Sequence, residues 1–144
     1  MAFDSAKRVI NGTWGEIWLD GQYVAECYKF QAKDSYTHED VAMAGRLRMG
    51  KKLTKIDGTG SVGMHKINSR MADIVGQQIK AGIDPRFTIV AKLADPDAYG
   101  AERVIFTDVA FDDLTIMDWE VGVNGTVEAP FTYGDYEFVD MIEA

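Results

Sequence analysis

Few side chains in this 144-residue sequence have the types and spacing that catalysis or metal binding requires. The two histidines, His38 and His65, stand at no metal-ligand spacing from the lone Cys27. No Gly-x-Ser-x-Gly elbow and no His-Glu-x-x-His motif occurs. Asp112 and Asp113 are adjacent, and adjacent strand residues point to opposite faces, so they are poorly placed to share a proton. We therefore expect a protein that is not an enzyme, with no cofactor and no bound metal.

One glycine-rich run matches a nucleotide-binding motif in its sequence but not in its structural context. Residues 58–63 read Gly-Thr-Gly-Ser-Val-Gly, which matches Gly-x-Gly-x-x-Gly. The dinucleotide-binding form of this motif needs a helix directly after it, and the P-loop form needs a Lys-Ser/Thr ending. Residues 65–67 still have the character of a strand. The run therefore predicts bends or a close backbone approach within a strand rather than a phosphate cradle.

Charge is distributed unevenly along the chain. The net charge of -8 argues against a free sequence-reading DNA binder. All charged residues between Ala42 and Ile56 are basic and uncompensated in that stretch, and no Lys or Arg follows Arg103. Two interpretations stay open: two solvated faces, or a head-to-tail contact between the basic patch of one copy and the acidic patch of the next. The residues predicted for such a contact are Arg46, Arg48, Lys51, Lys52, Lys55, Asp112, Asp113, Asp118 and Glu120.

Length and composition predict a single domain over residues 1–144. No run of about 18 apolar residues predicts a membrane span, and the N-terminus has no apolar stretch typical of a signal peptide. A single cysteine excludes a disulfide framework. We therefore expect the chain to fold in a reducing cytoplasm, with no insertion of the monomer into a membrane.

The first half of the chain predicts a hairpin and then a long loop. Residues 14–19 and 22–33 are rich in aromatic and β-branched residues, and Asp20-Gly21 between them is typical of a type I′ turn. Residues 34–56 lack a clean period and predict a long extended loop, which is usually an interaction arm. The residues expected to carry a hairpin that joins neighbouring copies are Trp14, Trp18, Asp20, Gly21 and Tyr28.

The second half predicts one helix and several strands. The helix is expected over residues 69–81, capped by Asn68 or Ser69 and ended by Gly82. Its apolar stripe is Met71, Ile74, Val75, Gln78 and Ile79. Strands are expected over residues 86–93, 103–117 with a bend at 112–113, and 127–133 after a turn at 124–125. The fold class is therefore mainly β: an antiparallel barrel or sandwich with one flanking helix.

The sequence resembles the tail tube family of PBSX-like defective prophages, clostridial contractile phages and tail-like bacteriocins. The resemblance runs nearly end to end and includes the Trp14-Gly15-Glu16-Ile17-Trp18 run. It rests on residues 11–21, 29–33, 84–87, 95–103, 111–115 and 129–132. Residues 42–53 match the family least.

The resemblance implies a structural subunit that forms hexameric rings stacked into a tube beneath a contractile sheath. The implied partners are further copies of the chain, the sheath protein, and baseplate and tail terminator proteins. In a phage, DNA would cross the lumen without specific binding; in a bacteriocin the tube would be a needle. The implied location is the virion tail or a tail-like particle assembled in the host cytoplasm. The alternatives are a small β-barrel binding module or a tube-end adaptor.

Overall fold

The computed structural model describes residues 5–143, and its eight strands confirm a mainly antiparallel β-fold. Short 3-10 turns lie at Ala6–Arg8 and Gly12–Trp14, and a π-helix at Ala72–Gly76 runs into the α-helix α1 at Gln77–Lys80. The strands are β1 Gly15–Leu19, β2 Gln22–Tyr23, β3 Cys27–Val41, β4 Gly50–His65, β5 Phe87–Leu93, β6 Glu102–Phe111, β7 Thr126–Tyr133 and β8 Asp135–Asp140.

The strands form two layers because β6 bends from one layer into the other. The path of pairing is β2-β1-β5-β6-β7-β4-β3, and β8 pairs with β6. Most of β6 pairs with β5 and β8, whereas its last residues, Ala110 and Phe111, pair with β7. The bend falls at Asp108, whose φ of 55° is a left-handed conformation that Asp tolerates. The chain bends again at Asp112, which confirms the predicted bend at 112–113, whereas the strand predicted beyond Phe111 was wrong.

The core lies between the two layers. Its most deeply buried side chains are Ile89 of β5, Val109 of β6 and Phe131 of β7. The alternating pattern predicted for residues 127–133 is confirmed, since Ala129, Phe131 and Tyr133 are all buried. Burial of apolar surface at about 25 cal/mol per Å² makes this shared core the main source of folding energy.

The predicted first hairpin is confirmed at its turn and corrected in its second strand. Asp20 and Gly21 both have positive φ, 49° and 82°, as a type I′ turn requires. The strand after the turn ends at Tyr23, and β3 begins again at Cys27 in the other layer. The interruption is fixed by Glu26, whose nearly buried carboxylate lies 2.7 Å from the Arg70 guanidinium at the start of the helical segment.

The predicted long loop over residues 34–56 is instead an antiparallel β-hairpin. β3 continues to Val41, β4 starts at Gly50, and the two strands pair throughout, with a bulge at Thr37/His38. The prediction failed because alternation of apolar and polar residues marks a strand only when one of its faces is buried. Here both faces are solvated, and cross-strand pairs such as Tyr36 with Ile56 and Glu39 with Lys52 supply the stabilisation.

The helix is confirmed at both ends and corrected in its middle. Asn68 Oδ1 accepts a hydrogen bond from Arg70 N at 3.0 Å, and Gly82 follows the helix with a φ of 81°. The segment at Ala72–Gly76 is π-helical, which adds a residue to the turn and rotates the following residues. Met71 and Val75 are therefore buried, whereas Ile79 of the predicted stripe is 55% exposed.

Two features at the end of the chain differ from the prediction. The turn expected at 124–125 lies earlier, at Gly122 with a φ of 83°, where Val123 N donates to Glu120 O. Strand β8 was not predicted. All six of its residues are exposed, so it carries no pattern of burial.

Candidate assembly surfaces

A hairpin arm projects from the body of the subunit. Strand β4 pairs with β7 from His65 back to Gly58, which faces Tyr133. Residues 35–57, here called the arm, lie beyond this point and consist of β3, β4 and their connection alone. Eight residues of β4 at about 3.3 Å each make the arm about 25 Å long.

The root of the arm is held by two aromatic rings, each packed against a glycine. The Tyr133 ring lies so close to Gly58 that a Cβ there would stand 2.5 Å from it, and Phe131 crowds Gly60 in the same way. Tyr133 donates a hydrogen bond from its hydroxyl to Asp34 Oδ1 at 2.7 Å. Burial, followed by the Asp34 carboxylate, raises the pKa of Tyr133. The predicted close backbone approach at the glycine-rich run is confirmed.

The predicted basic cluster is partly neutralised within the arm. Lys51 contacts the Asp40 carboxylate, Lys55 lies 3.2 Å from Asp57, and Lys52 is the cross-strand partner of Glu39. The prediction of five uncompensated charges was therefore wrong for Lys51 and Lys55, which are paired with Asp40 and Asp57. Among residues 5–143, no ion pair with an acidic residue involves Arg46 or Arg48.

The arm tip, residues 41–49, combines these two arginines with exposed apolar side chains. Leu47 is fully exposed, and Val41, Met43 and Met49 are each 40–49% exposed. Arg46 Nη1 lies 3.6 Å from Met43 Sδ, so charge and apolar surface are adjacent. A tip of this composition is typical of a protein contact rather than of a solvated turn.

The predicted acidic residues lie in one irregular stretch, residues 112–125, here called the acidic segment. Asp112 N donates to Pro130 O at 2.8 Å, which anchors the start of the segment to β7. Asp113, Asp118 and Glu120 are exposed. The segment also exposes large apolar side chains: Ile116, Met117, Trp119, Val121 and Val123, each 60–88% accessible.

The acidic segment starts in the middle of the β3–β4–β7 layer, at Pro130, and runs to the end of the layer farthest from the arm. Along β7, Tyr133 pairs with Gly58 at the root of the arm, whereas Thr126, which follows the acidic segment, pairs with His65 at the far end of β4. The fold therefore keeps the predicted basic and acidic sets apart within one subunit. A contact between them requires two copies.

The predicted hairpin set is only partly brought together. Asp20 and Gly21 form the turn, and Trp18 packs against Tyr23 with ring centroids 5.4 Å apart. Trp14 lies before the hairpin, in a 3-10 turn. Tyr28 belongs to β3 in the other layer, where its ring lies 4.7 Å from that of His65. Trp14 and Tyr28 are therefore not part of the hairpin, and a role of the hairpin in joining neighbouring copies stays a prediction.

Sequence reasoning missed an open sheet edge beside a cleft. In the part of the chain that the structure describes, β3 is 15 residues long and pairs only with β4. Its other edge borders a cleft of about 1030 Å³ between the two layers. Aromatic side chains from both layers line this cleft: Phe30, Phe106, Tyr133, Tyr136 and Phe138.

Within residues 5–143, no cluster of three or more His, Cys, Asp or Glu side chains could hold a metal ion. Burial raises the pKa of the Cys27 thiol, which disfavours the nucleophilic thiolate. No helix in the described range is long and apolar enough to cross a bilayer.

Comparison with known proteins identifies the family to which the chain belongs. The family model described as phage tail tube protein matches residues 2–140. The chain therefore belongs to the phage tail tube protein family, and it is a structural subunit of a tail tube. It is 34% identical over 139 residues to the phage-like element PBSX protein XkdM of Bacillus subtilis (strain 168), covering 95% of each chain.

Solved structures share the fold at low sequence identity. A chain of the sheath–tube complex of an extracellular contractile injection system, PVC, superimposes with a TM-score of 0.76 at 8% identity, covering 94% of this chain and 95% of that one. A chain from the tail of an empty gene transfer agent particle, refined with C6 symmetry, gives a TM-score of 0.57 at 16% identity, covering 92% of this chain and all of that one. At these identities the likeness concerns the fold.

Proposed function

We propose that this single-domain chain forms hexameric rings that stack into the inner tube of a contractile tail or tail-like particle. The observation that carries the proposal is the open edge of β3. One edge of this 15-residue strand has no partner strand among the described residues, and such an edge promotes unwanted pairing in a monomer. Closing several subunits into a ring removes open edges. The adjoining aromatic cleft would be covered by the same closure, which buries apolar surface in the ring contact.

The outward face of the β3–β4–β7 layer suits the wall of the lumen. Its side chains alternate with the core residues: Thr59, Ser61 and Thr132 carry hydroxyls, and their β3 neighbours include Gln31 and Lys33. The charges on this face are partly paired, since Lys29 lies 3.5 Å from Glu128. Where a cation of the wall is paired with an acid, it gains little by displacing the counterions of DNA, so a nucleic acid would pass without specific binding.

Support for the partners comes from the relatives. The injection-system chain is part of a sheath–tube complex, and XkdM belongs to a phage-like element. By analogy, we propose contacts with a sheath protein, a baseplate and a terminator, and assembly in the host cytoplasm. A second candidate is a small β-barrel binding module or a tube-end adaptor, which the cleft of about 1030 Å³ favours.

Electron microscopy and mass measurement of the purified protein test the proposal. We expect rings with six-fold symmetry and tubes built from them, in amounts that rise with concentration. A protein that stays monomeric at all concentrations overturns the ring proposal. Specific binding of a small ligand by that monomer, in the cleft, would establish the binding module instead.

A further inference from the structure

We infer that the arm tip of one copy docks on the acidic segment of the next copy, through an apolar contact bordered by opposite charges. The inference rests on the proposed function, because it supplies the contact between successive rings. It replaces the five-residue basic cluster by a smaller set: Arg46 and Arg48 with their apolar neighbours.

Both surfaces expose apolar side chains that the fold of the subunit does not use. Leu47 at the arm tip is fully exposed, and Val121, Met117 and Trp119 of the acidic segment are 73–88% exposed. Large apolar residues grouped in this way on a soluble subunit are typical of an interface. Aromatic residues and methionine are also enriched at the centres of such interfaces.

The charges at the borders of the two surfaces are complementary. The arm tip carries Arg46 and Arg48 and no acidic residue, whereas the acidic segment carries four acids and no Lys or Arg. The cleft beside β3, by contrast, is lined by charges of both signs, such as Lys92 with its cross-strand partner Glu16. Charge therefore directs the basic tip to the acidic segment rather than to the cleft.

The placement of the two surfaces makes the contact head-to-tail. Since the acidic segment runs from the middle of the β3–β4–β7 layer to the end farthest from the arm, a copy that offers its arm still offers its acidic segment. A heterologous contact of this kind repeats without closing along the stacking direction. The geometry thus provides for continued growth of a stack.

Two double variants, each of which loses two positive charges, test whether the arm tip makes the contact or whether any positive charge on the arm would do. Replacing Arg46 and Arg48 by Gln should raise the critical concentration for tube growth at least about tenfold, because these charges border the contact. Replacing Lys51 and Lys55 by Gln removes the same number of charges, but from pairs within the arm, and should change it less than about twofold. Equal effects of the two pairs would overturn the inference.

The apolar centre is tested in the same assay. Trp119→Ser should raise the critical concentration about thirtyfold, equivalent to about 2 kcal/mol, as for truncation of an interface anchor. Val9→Ser, at an exposed apolar position after the 3-10 turn Ala6–Arg8 and outside both the arm and the acidic segment, is the control and should leave growth unchanged. Circular dichroism and thermal unfolding should show all variants folded. A folded Trp119→Ser variant that grows like the wild type would overturn the apolar contact.

Charge reversal tests whether the two surfaces meet each other. Arg46→Glu with Arg48→Glu should block growth, as should Asp118→Lys with Glu120→Lys, and the four changes in one chain should restore it. If the fourfold variant stays blocked, the two surfaces contact different partners and the inference fails. Tubes from every variant would overturn this inference and leave the tube function standing. A wild-type chain that never assembles would overturn both.

Discussion

Gly60→Ala tests whether the arm root is packed as tightly as its distances indicate. A Cβ at position 60 would stand 2.3 Å from the backbone oxygen of Gln31 and 2.6 Å from the Phe131 ring, both well inside van der Waals contact. Phe131 cannot move away easily, because it is fully buried and its ring packs against those of Phe30 and Tyr133. Overpacking of this kind costs about 1–3 kcal/mol.

The unfolded chain partly offsets that cost. Alanine has fewer unfolded conformations than glycine, which favours the folded state by about 0.4–1 kcal/mol. The net loss should therefore be about 1–2 kcal/mol, visible as a fall of roughly 0.5–1 M in the urea midpoint for an ordinary slope. Tryptophan fluorescence can follow unfolding at a protein concentration below that of tube growth, because assembly would add concentration-dependent stability.

Gly12→Ala is the matched control for this prediction. A Cβ there would have no atom within 4 Å, so Gly12→Ala should only restrict the unfolded chain and raise the unfolding free energy by about 0.4–1 kcal/mol. If Gly60→Ala raised the midpoint as Gly12→Ala does, the arm root would have room for a side chain. The close packing of β3, β4 and β7 described above would then be refuted.

Three further changes probe the core, the first turn and the arm root. Ile89→Ala, at a fully buried site, should lower the unfolding free energy by about 2–5 kcal/mol in chemical denaturation. Ile79→Ala, on the exposed side of the helix, should lower it by less than about 0.5 kcal/mol. Equal losses would refute the assigned helix orientation. Gly21→Val should lower stability by about 1–2 kcal/mol, since φ is 82° there, and an unchanged melting curve would contradict the turn. Tyr133→Phe should cost about 0.5–1.5 kcal/mol through the lost bond to Asp34. Because folding raises the pKa of Tyr133, the unfolded chain loses this proton first, near pH 10; wild-type stability should fall as pH rises beyond that value, and the Phe variant should lack this dependence.

The parts of the fold that the sequence predicted are those in which one face is buried. Strand β7 alternates because Ala129, Phe131 and Tyr133 face the core, and the turn at Gly21 is marked by local backbone chemistry. The helix ends were found for the same local reasons, an Asn cap and a following glycine. Such features depend on residues close in sequence, so a single sequence contains the information.

The parts that could not be predicted depend on contacts between distant residues. The arm strands and β8 have no buried face, so no period marks them. The interruption before β3 depends on the pairing of Glu26 with Arg70, far along the chain. Likewise, the neutralisation of Lys51 by Asp40 follows from hairpin register, which no local pattern reveals. The sequence therefore predicted the charged residues of the candidate contact but not the exposed apolar side chains at its centre.

The separation of the two surfaces has a consequence for the ends of a tube. If the arm tip enters the acidic segment of the next copy, one end of every stack presents free arm tips and the other presents free acidic segments. The two ends then differ in charge while both expose apolar surface. A protein that closes the arm end must offer an acidic, apolar surface, and one that starts the stack at the other end must offer a basic, apolar one. Polarity of the tube would thus follow from the positions of the arm tip and the acidic segment along one sheet.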